Sequence, residues 1–406
     1  MKKILLATGL SIVYTFAVAQ WTTLSSGTSN HLASVFFTSP ETGYVAGNSG
    51  TLLKTINGGA DWIPLSSGTS EDLNAVCFID GNTGFAAGNQ GTLLKTTDGG
   101  STWVPLSSGT TKILNSLCFT TPDKGYVVGG DGFSSACILK TLDGGLTWTT
   151  TALASSTVFM SICFADEMTG YAAGINVTAM RGGVIAKTTD GGETWNIIQP
   201  SGTWYGLYSI DCTDANTAFA AGMFGTLIKT TNGGADWTST LTGSSTNLDG
   251  VKFADNLTGY AVGGLGLILK TVDGGEYWGP LTSGSTNELF SIHFLNPDTG
   301  YISGIFGTIL KTTNGGGFFV GVPDRLPVSN GLIVYPLPAT DKVTIATGET
   351  AGSSLIEINN LNGLPLISYR HTGSRSVPDV SSLPAGYYLI RVISDSGVKT
   401  GRLVKR

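Results

Sequence analysis

The sequence predicts an all-β chain: a seven-bladed β-propeller followed by a small immunoglobulin-like β-sandwich. The motif Lys-Thr-x-Asn/Asp-Gly-Gly occurs seven times, and its lysines are separated by 41, 45, 47, 42, 41 and 41 residues: Lys54, Lys95, Lys140, Lys187, Lys229, Lys270 and Lys311. Each period contains four short apolar runs separated by Gly, Asn, Asp and Ser, which is typical of strands joined by tight turns. Four strands in about 40–45 residues are typical of a propeller blade.

The N-terminal strand is expected to complete the last blade. The predicted outermost strands open at Trp21, Trp62, Trp103, Trp148, Trp195, Trp237 and Trp278, and the innermost strands begin near Leu32, Leu73, Leu114, Phe159, Leu207, Leu248 and Leu289. The last motif, at Asn314, has no Trp after it, so Trp21–Gly27 is expected to serve as its fourth strand and to remove the open edges of the ring. No window has a sustained helical period, so almost no helix is predicted.

The Asp-Gly-Gly turn of each repeat is interpreted as structural. An Asp or Asn side chain can bond backbone two residues on, and Gly adopts a positive φ without steric strain. Asn replaces Asp at three of the seven sites, Asn57, Asn232 and Asn314. Since a catalytic carboxylate could not be exchanged for an amide, these turns are not predicted to be catalytic.

The N-terminus reads as an export signal, residues 1–19. Lys2 and Lys3 precede the uncharged, mostly apolar Ile4–Val18, and Ala17-Val18-Ala19 is a small-residue cleavage site. A membrane anchor is the alternative, but the apolar stretch is short for a span. No transmembrane segment is expected after removal of the signal, and residues 20–320 are assigned to the propeller.

The charge of the ring argues against nucleic acid as a partner. Residues 20–325 contain 12 Lys and Arg against 23 Asp and Glu, a balance of −11. Seven of the 12 basic residues are the motif lysines, which are spread evenly round the ring, and Arg181 is the only Arg before the linker. No basic stripe is therefore available for a phosphate backbone.

The five cysteines are interpreted as small buried apolar residues. Cys77, Cys118 and Cys163 occupy the same place in three successive innermost strands, and the other four blades have Phe36, Asp211, Lys252 and His293 there. Equivalent positions on neighbouring blades are expected to be too far apart for a disulfide. No Cys-x-x-Cys or His-rich spacing indicates a metal site, and no cofactor is predicted.

Composition changes after a linker at residues 321–330, which contains Pro323 and Pro327. Residues 331–406 are predicted to form a compact β-sandwich and carry 8 basic and 5 acidic residues. Its expected strands are Ile333–Tyr335, Lys342–Ala346, Ser354–Asn359, Pro365–Tyr369, Tyr387–Ser394 and Val398–Lys405.

The repeats resemble those of the Asp-box (BNR-like) propellers, and most closely the photosystem II stability/assembly factor-like family. Residues 96–103 match the Asp-box pattern Ser/Thr-x-Asp-x-Gly-x-Thr-Trp at every fixed place, and Gly259–Trp278 carries the longer string typical of the family. The resemblance implies a seven-bladed fold over all repeats. Photosynthetic members are associated with an arginine-rich surface, and since this ring has one Arg, photosystem assembly is not inferred.

Residues 331–406 resemble the type A C-terminal sorting domain of type IX secretion cargo. The matching segments are Val334–Asp341, Asp379–Val392 and the basic end Lys399–Arg406, with Leu337 where the family usually has Asn. The resemblance implies recognition by the type IX secretion machinery and removal of the tail at the surface. It also implies that the protein is secreted or on the outer surface of a Gram-negative bacterium.

One face of the ring is predicted to bind a ligand. In a propeller, the loops between second and third strands and the loops that lead to the next blade share a face. In blades 3 and 4 the former are lengthened, at Gly130–Ala136 and Ile175–Gly183. Aromatic and apolar residues at these tips suit sugar or protein binding, although they could also pack on each other. The predicted ligand-binding residues are Phe133, Met180, Arg181, Trp204, Tyr205, Phe224 and Phe306.

A polysaccharide-acting glycoside hydrolase is the alternative function. Such enzymes use two carboxylates across a cleft, and the candidates on the expected face are Glu71, Asp72, Asp249 and Glu288. None lies in a catalytic motif, and the three arginines with which sialidases hold their substrate are missing from the ring. No catalytic residue is therefore assigned, and a non-catalytic binding or adhesion module is expected.

Overall fold

The computed structural model describes residues 21–131, 135–153, 156–177, 182–200, 203, 205–240 and 242–317 of the repeat region. In the C-terminal region it describes residues 332–335, 339–346, 353–360, 364–373, 375–394 and 397–405. The chain divides into two compact units between residues 320 and 321. The predicted signal at residues 1–19 and the linker at residues 321–330 lie outside the described residues.

The described part of the first unit forms seven four-stranded antiparallel sheets, the blades of a propeller. From the innermost to the outermost strand, blade 1 has Leu32–Phe37, Gly43–Gly47, Thr51–Thr55 and Ile63–Leu65; blade 2 has Leu73–Phe78, Gly84–Gly88, Leu93–Thr96 and Val104–Pro105; blade 3 has Ile113–Phe119, Gly125–Gly130, Ala136–Thr141 and Thr149–Leu153; blade 4 has Thr157–Phe164, Gly170–Asn176, Gly183–Thr188 and Asn196–Ile198. Blade 5 has Leu207–Cys212, Ala218–Gly222, Leu227–Thr230 and Thr238–Ser239; blade 6 has Leu248–Phe253, Gly259–Gly263, Ile268–Thr271 and Gly279–Leu281; blade 7 has Leu289–Phe294, Gly300–Gly304, Thr308–Thr312 and Thr22–Ser25.

The ring closes through the N-terminal strand, as predicted. Thr22–Ser25 pairs antiparallel with the third strand of blade 7, from Thr22 opposite Lys311 to Ser25 opposite Thr308. The innermost strands of all neighbouring blades contact each other, including those of blades 7 and 1. In the described residues, the only helical pieces are four short 3₁₀ turns, and none is long enough to cross a membrane.

Each innermost strand contains a β-bulge. The pairing register shifts after the first strand residue in five blades, after the second in blade 3 and after the third in blade 4, so that one residue is left out of the ladder. The seven residues at this place are Ala33, Asn74, Asn115, Met160, Tyr208, Asp249 and Phe290. Because the innermost strands surround the axis, the bulges form one ring of chemically varied residues on an otherwise repetitive scaffold.

Aromatic triads hold neighbouring blades together. In blade 2, Phe78 stacks on Tyr44 of blade 1 with ring centroids 3.8 Å apart and meets Trp103 edge-on at 6.0 Å. A Cβ added at Gly84 would lie 2.6 Å from the Phe78 ring, so glycine is required where the phenylalanine passes. The same arrangement recurs at five other blade interfaces.

The interface between blades 4 and 5 departs from this arrangement. Cys212 stands where Phe78 stands in blade 2, and Ala218 stands where Gly84 stands. The two replacements are physically linked, because a methyl group fits at this position only when the large ring is absent. Trp237 and Tyr171 keep their edge contact at 6.4 Å.

The Asp-Gly-Gly turns are closed by their own side chains. In blade 2, Thr96 Oγ1 accepts from Gly100 N and donates to Asp98 Oδ1, while Thr102 donates to the Asp98 carboxylate through N and Oγ1. These hydrogen bonds lower the pKa of Asp98 to about 2. In blade 1 the donor and the acceptor change places. Asn57 stands where Asp98 stands in blade 2, and its Nδ2 donates to the carboxylate of Asp61 at 2.9 Å.

The described part of the second unit contains two antiparallel sheets. One has the order Ile333–Tyr335, Thr344–Ala346, Arg375–Ser376, and the other Pro365–Thr372, Ser353–Asn359, Gly386–Ser394, Gly397–Lys405. Their buried side chains form a single apolar cluster around Ile356, Ile358 and Ile390. The two-residue strand Arg375–Ser376 was not predicted, because it is too short to show a period.

Candidate ligand-binding face

The turns between second and third strands have an unusual backbone at their tips. In the five blades where this turn is short and described, the tip residue has a φ between 53° and 57° although it is not glycine: Ser49, Gln90, Phe224, Leu265 and Phe306. A left-handed conformation costs an L-residue about 1–2 kcal/mol. Such strain persists only where the surrounding structure fixes the backbone, and it often accompanies function.

Hydrogen bonds from the next loop fix these tips. Gly50 N donates to Glu71 O at 2.9 Å, and Gly307 N donates to Asn30 O at 2.8 Å. Two side chains add to this: Asp72 accepts from Ser49 N at 2.8 Å, and Asn247 Oδ1 accepts from Phe224 N. The tips and the loops that lead to the next blade therefore form one rigid face, as predicted.

Three consecutive blades carry large apolar tips that face solvent. The exposed fraction is 57% for Phe224, 78% for Leu265 and 63% for Phe306. Tyr205, also exposed, lies 4.6 Å from Phe224 between ring centroids, and His31 lies 5.4 Å from Phe306. We call Phe224, Leu265 and Phe306 the apolar tips.

A shallow groove of about 440 Å³ lies beside the middle tip. Its lining includes Leu265, the segment from Leu281 to Thr286, and Thr246. The groove places an open, mostly uncharged surface next to an exposed apolar side chain.

The Asp-Gly-Gly turns lie at the opposite end of the strands. Their glycines bond the loops between first and second strands, as in Gly58 N to Glu41 O at 2.8 Å and Gly99 N to Asn82 O at 2.9 Å. These turns and the apolar tips consequently lie on different faces of the ring.

The acidic residues of the tip face differ sharply in environment. Asp72 accepts from the backbone of Ser49 and from Asn89 Nδ2, so it is a structural cap. Asp249, a bulge residue, is largely buried, and its Oδ2 has no hydrogen-bond partner. Burial, followed by the nearby charge of Glu288, raises the pKa of Asp249 to about 7. Glu71 contributes its backbone carbonyl to the Gly50 contact.

Deeper along the innermost strands, the charged residues satisfy each other. Lys252 Nζ lies 2.7 Å from Asp211 Oδ1, and Asp211 Oδ2 accepts from Phe253 N at 2.8 Å. Burial and the charge of Lys252 lower the pKa of His293 to about 4, so the imidazole is neutral at pH 7. Across the described residues, no three His, Cys, Asp or Glu side chains are grouped closely enough to hold a metal ion.

Of the predicted ligand-binding residues, the structure places Tyr205, Phe224 and Phe306 on the predicted face. Phe133, Met180, Arg181 and Trp204 lie outside the described residues. Leu265 was missed, although Gly264-Leu265-Gly266 stands at the same place in blade 6 as Ile305-Phe306-Gly307 in blade 7. The positional match, rather than aromatic character, would have found it.

Two family models match the sequence. The one described as photosynthesis system II assembly factor YCF48 matches residues 13–111 and 105–250, more than half of the chain. The one described as secretion system C-terminal sorting domain matches residues 333–406. No curated protein matches the chain.

Solved structures confirm the fold. A structure of YCF48 bound to D1 peptide has a TM-score of 0.61 at 20% identity, covering 74% of this chain and 98% of that one. YCF48 from Cyanidioschyzon merolae has a TM-score of 0.60 at 20% identity, covering 72% and 99%. PorZ, described as an essential bacterial surface component of the type-IX secretion system of Porphyromonas gingivalis, has a TM-score of 0.52 at 14% identity, covering 91% and 58%.

Proposed function

Because the chain belongs to the photosynthesis system II assembly factor YCF48 family and ends in a secretion sorting domain, we propose that it is an exported propeller that binds a partner without catalysis. The sorting domain implies export by the type IX secretion system to the outer surface or the medium. We place the partner on the face that carries the apolar tips.

The observation that carries this proposal is the pairing of strain with exposure. Phe224, Leu265 and Phe306 hold a left-handed backbone and yet leave more than half of each side chain in water. Neither property stabilises the ring. A bound partner would bury these side chains, and a fully buried Leu or Phe contributes about 1.5–3 kcal/mol.

A polypeptide fits the described residues of this face better than a sugar. The three tips offer apolar surface without hydrogen-bond donors, whereas sugar recognition requires several polar groups beside an aromatic plane. A solved neighbour, YCF48, is seen with a bound peptide. The acidic residues Glu71 and Glu288 on the same face favour a partner that presents basic residues next to apolar ones.

The test is selection of a random-peptide library on the full chain, followed by affinity measurement of the enriched peptides. We expect peptides that combine apolar and basic residues. The combined Phe224→Ser, Leu265→Ser and Phe306→Ser variant should bind them at least tenfold more weakly.

A matched control comes from three equally exposed apolar residues of the opposite face, Ile56, Leu142 and Leu146. Their replacement by Ser should leave affinity unchanged. Equal loss in both triple variants would contradict the proposed face. Binding to a polysaccharide array instead, lost in the tip variant, would keep the face but replace the polypeptide partner by a glycan.

A glycoside hydrolase is the second candidate, and one observation favours it. Asp249 has a pKa near neutrality beside Glu288, which is how a carboxyl group becomes a general acid next to an ionised partner. Release of reducing sugar from a polysaccharide panel, abolished by Asp249→Asn or Glu288→Gln, would support this function. Binding that persists in both variants without product would support the non-catalytic module.

A further inference from the structure

We propose that Cys163 and Cys212 form a disulfide that joins blades 4 and 5 when the protein is exported. This inference is independent of the proposed partner face. It rests on where the two side chains point, on their chemistry and on the compartment that the sorting domain implies.

Side chains of an innermost strand alternate between the two neighbouring blades. In blade 1, Ser34 Oγ accepts from Val76 N of the following blade, and in blade 2, Phe78 stacks on Tyr44 of the preceding blade. Cys163 lies two residues after Ser161, which contacts Ile210 N of blade 5 at 3.2 Å, so it also faces the following blade. Cys212 takes the place of Phe78 and faces the preceding blade.

The two cysteines therefore face each other across one interface. Both pack on the same apolar cluster, which contains Tyr171 of blade 4 and Leu207 of blade 5, and Cys212 is close enough to raise the pKa of Cys163. At the six other interfaces at least one of the two places holds phenylalanine: Phe36 with Phe78, Cys77 with Phe119, Cys118 with Phe164, Asp211 with Phe253, Lys252 with Phe294, and His293 with Phe37.

A comparison of equivalent positions in the repeats does not reveal this pair of cysteines. Cys77, Cys118 and Cys163 are equivalent, and each meets a residue one place further along the next innermost strand. Only Cys163 meets a cysteine there. Because the large ring of the usual triad is missing at this interface, a covalent link would replace the lost stacking between blades 4 and 5.

The oxidant is the disulfide form of a dithiol–disulfide oxidoreductase in the oxidising compartment that exported chains enter. The thiolate of one cysteine attacks the disulfide of the oxidoreductase and forms a mixed disulfide. The thiolate of the other cysteine then attacks the first cysteine's sulfur, forms the Cys163–Cys212 bond and releases the oxidoreductase as a dithiol. The two protons lost by the chain are taken up by the oxidoreductase.

Packing determines when this reaction takes place. In the folded ring, burial raises the pKa of Cys163 well above its usual value. A buried thiol is a poor nucleophile, so oxidation precedes the docking of blade 5 on blade 4. A chain folded under reducing conditions should consequently keep both thiols.

The first experiment maps the bond in the full chain exported to the periplasm of a Gram-negative host. The sample is denatured with N-ethylmaleimide and digested without reduction. Mass spectrometry should find one linked peptide pair containing Cys163 and Cys212, with Cys77, Cys118 and Cys137 alkylated. Alkylation of all five cysteines, or a link that involves Cys118, would overturn the proposal.

The second experiment separates the bond from simple packing. The midpoint of thermal unfolding of the exported chain should fall by roughly 5–10 °C on addition of reductant, because the bond closes a loop of 49 residues. The Cys163→Ala, Cys212→Ala variant should show no response to reductant, and Cys77→Ala, Cys118→Ala should respond as the original chain does. Identical unfolding of the original chain with and without reductant would also overturn the proposal.

Discussion

Lys54 Nζ lies 2.6 Å from the carbonyl oxygen of Gly99, which belongs to the Asp-Gly-Gly turn of the following blade. Tyr44 Oη donates to the same oxygen at 2.9 Å. The motif lysine therefore acts between blades, and at the ring junction Lys311 reaches Gly58 O at 2.7 Å in the same way. In five of the seven repeats the motif lysine makes this contact.

Loss of such a lysine should destabilise the ring. Lys54→Met is expected to lower the free energy of unfolding by about 1–2 kcal/mol, because a partly buried carbonyl loses a charged donor. Lys229→Met is the control: its ammonium pairs with the exposed Glu276, and such pairs contribute little. Chemical denaturation measures both, and an equal effect would contradict the role of the carbonyl contact.

The Asp and Asn forms of the turn should be exchangeable only when both residues of the pair, Asp98 with Thr102 or Asn57 with Asp61, are changed together. Asp98→Asn is expected to lower the Tm, because the amide keeps the Oδ1 that accepts from Thr102 N but replaces Oδ2, the acceptor of Thr102 Oγ1, with a donor. Adding Thr102→Asp recreates the Asn57–Asp61 pair of blade 1 and should restore most of the loss. Additive effects in this double-mutant cycle would show that the pair is not the unit.

The glycine that faces each interface ring should tolerate a methyl group only without that ring. Gly84→Ala is expected to destabilise by about 1–3 kcal/mol, because its Cβ would lie 2.6 Å from Phe78. In a Phe78→Cys background, which copies Cys212 and Ala218, the same substitution should be nearly neutral. Thermal unfolding of the two pairs measures the difference, and equal costs would contradict the steric explanation.

Asp249 should make the ring less stable as the pH rises. Its pKa in the folded state, about 7, lies above the usual value of 3.8. Between about pH 4 and pH 7 the folded state therefore holds a proton that the unfolded state has lost. The stabilisation is complete below about pH 4 and disappears as the pH rises towards 7. Asp249→Asn should raise the Tm at pH 8 and leave it nearly unchanged at pH 4. A variant with the pH dependence of the original chain would contradict this assignment.

The left-handed backbone at the tips should lower the stability of the ring. Leu265→Gly should raise the free energy of unfolding by up to about 1 kcal/mol, because glycine adopts a φ of 57° without strain and Leu265 buries little surface. Gly266→Ala, at a neighbouring positive φ, should instead destabilise, because its Cβ would lie 1.9 Å from Ser285 O. Denaturation of both variants tests this, and a loss on Leu265→Gly would assign the tip a structural role.

Much of the ring could be predicted because the same turn and packing residues recur in each repeat. A Trp before each outermost strand, the turn and its lysine set the blade count, and the lack of a Trp after Asn314 indicated the closing strand. The tip face followed from propeller topology, with Phe224 and Phe306 placed correctly. Leu265 was not predicted, because only aromatic residues were sought at the tips of the short turns.

Other features depend on contacts between blades that a single repeat does not show. Burial and the charge of Glu288, which precedes the innermost strand of blade 7, raise the pKa of Asp249, and neither effect could be predicted from an acidic residue taken by itself. Cys163 and Cys212 stand at different places in their repeats, so a comparison of equivalent positions kept them apart. The bulge of each innermost strand likewise leaves no distinct pattern in the sequence.

The strand that completes blade 7 also sets an order of events. Ser25 pairs with Thr308, which lies 283 positions later in the sequence. The segment synthesised early thus waits for its partner until the last blade has been made, and loop closure over such a distance is slow. Blades 1 to 6 can pack in sequence, but the two ends of the ring meet late, shortly before the sorting domain follows. A chain shortened at either end of the propeller would leave the same edge open.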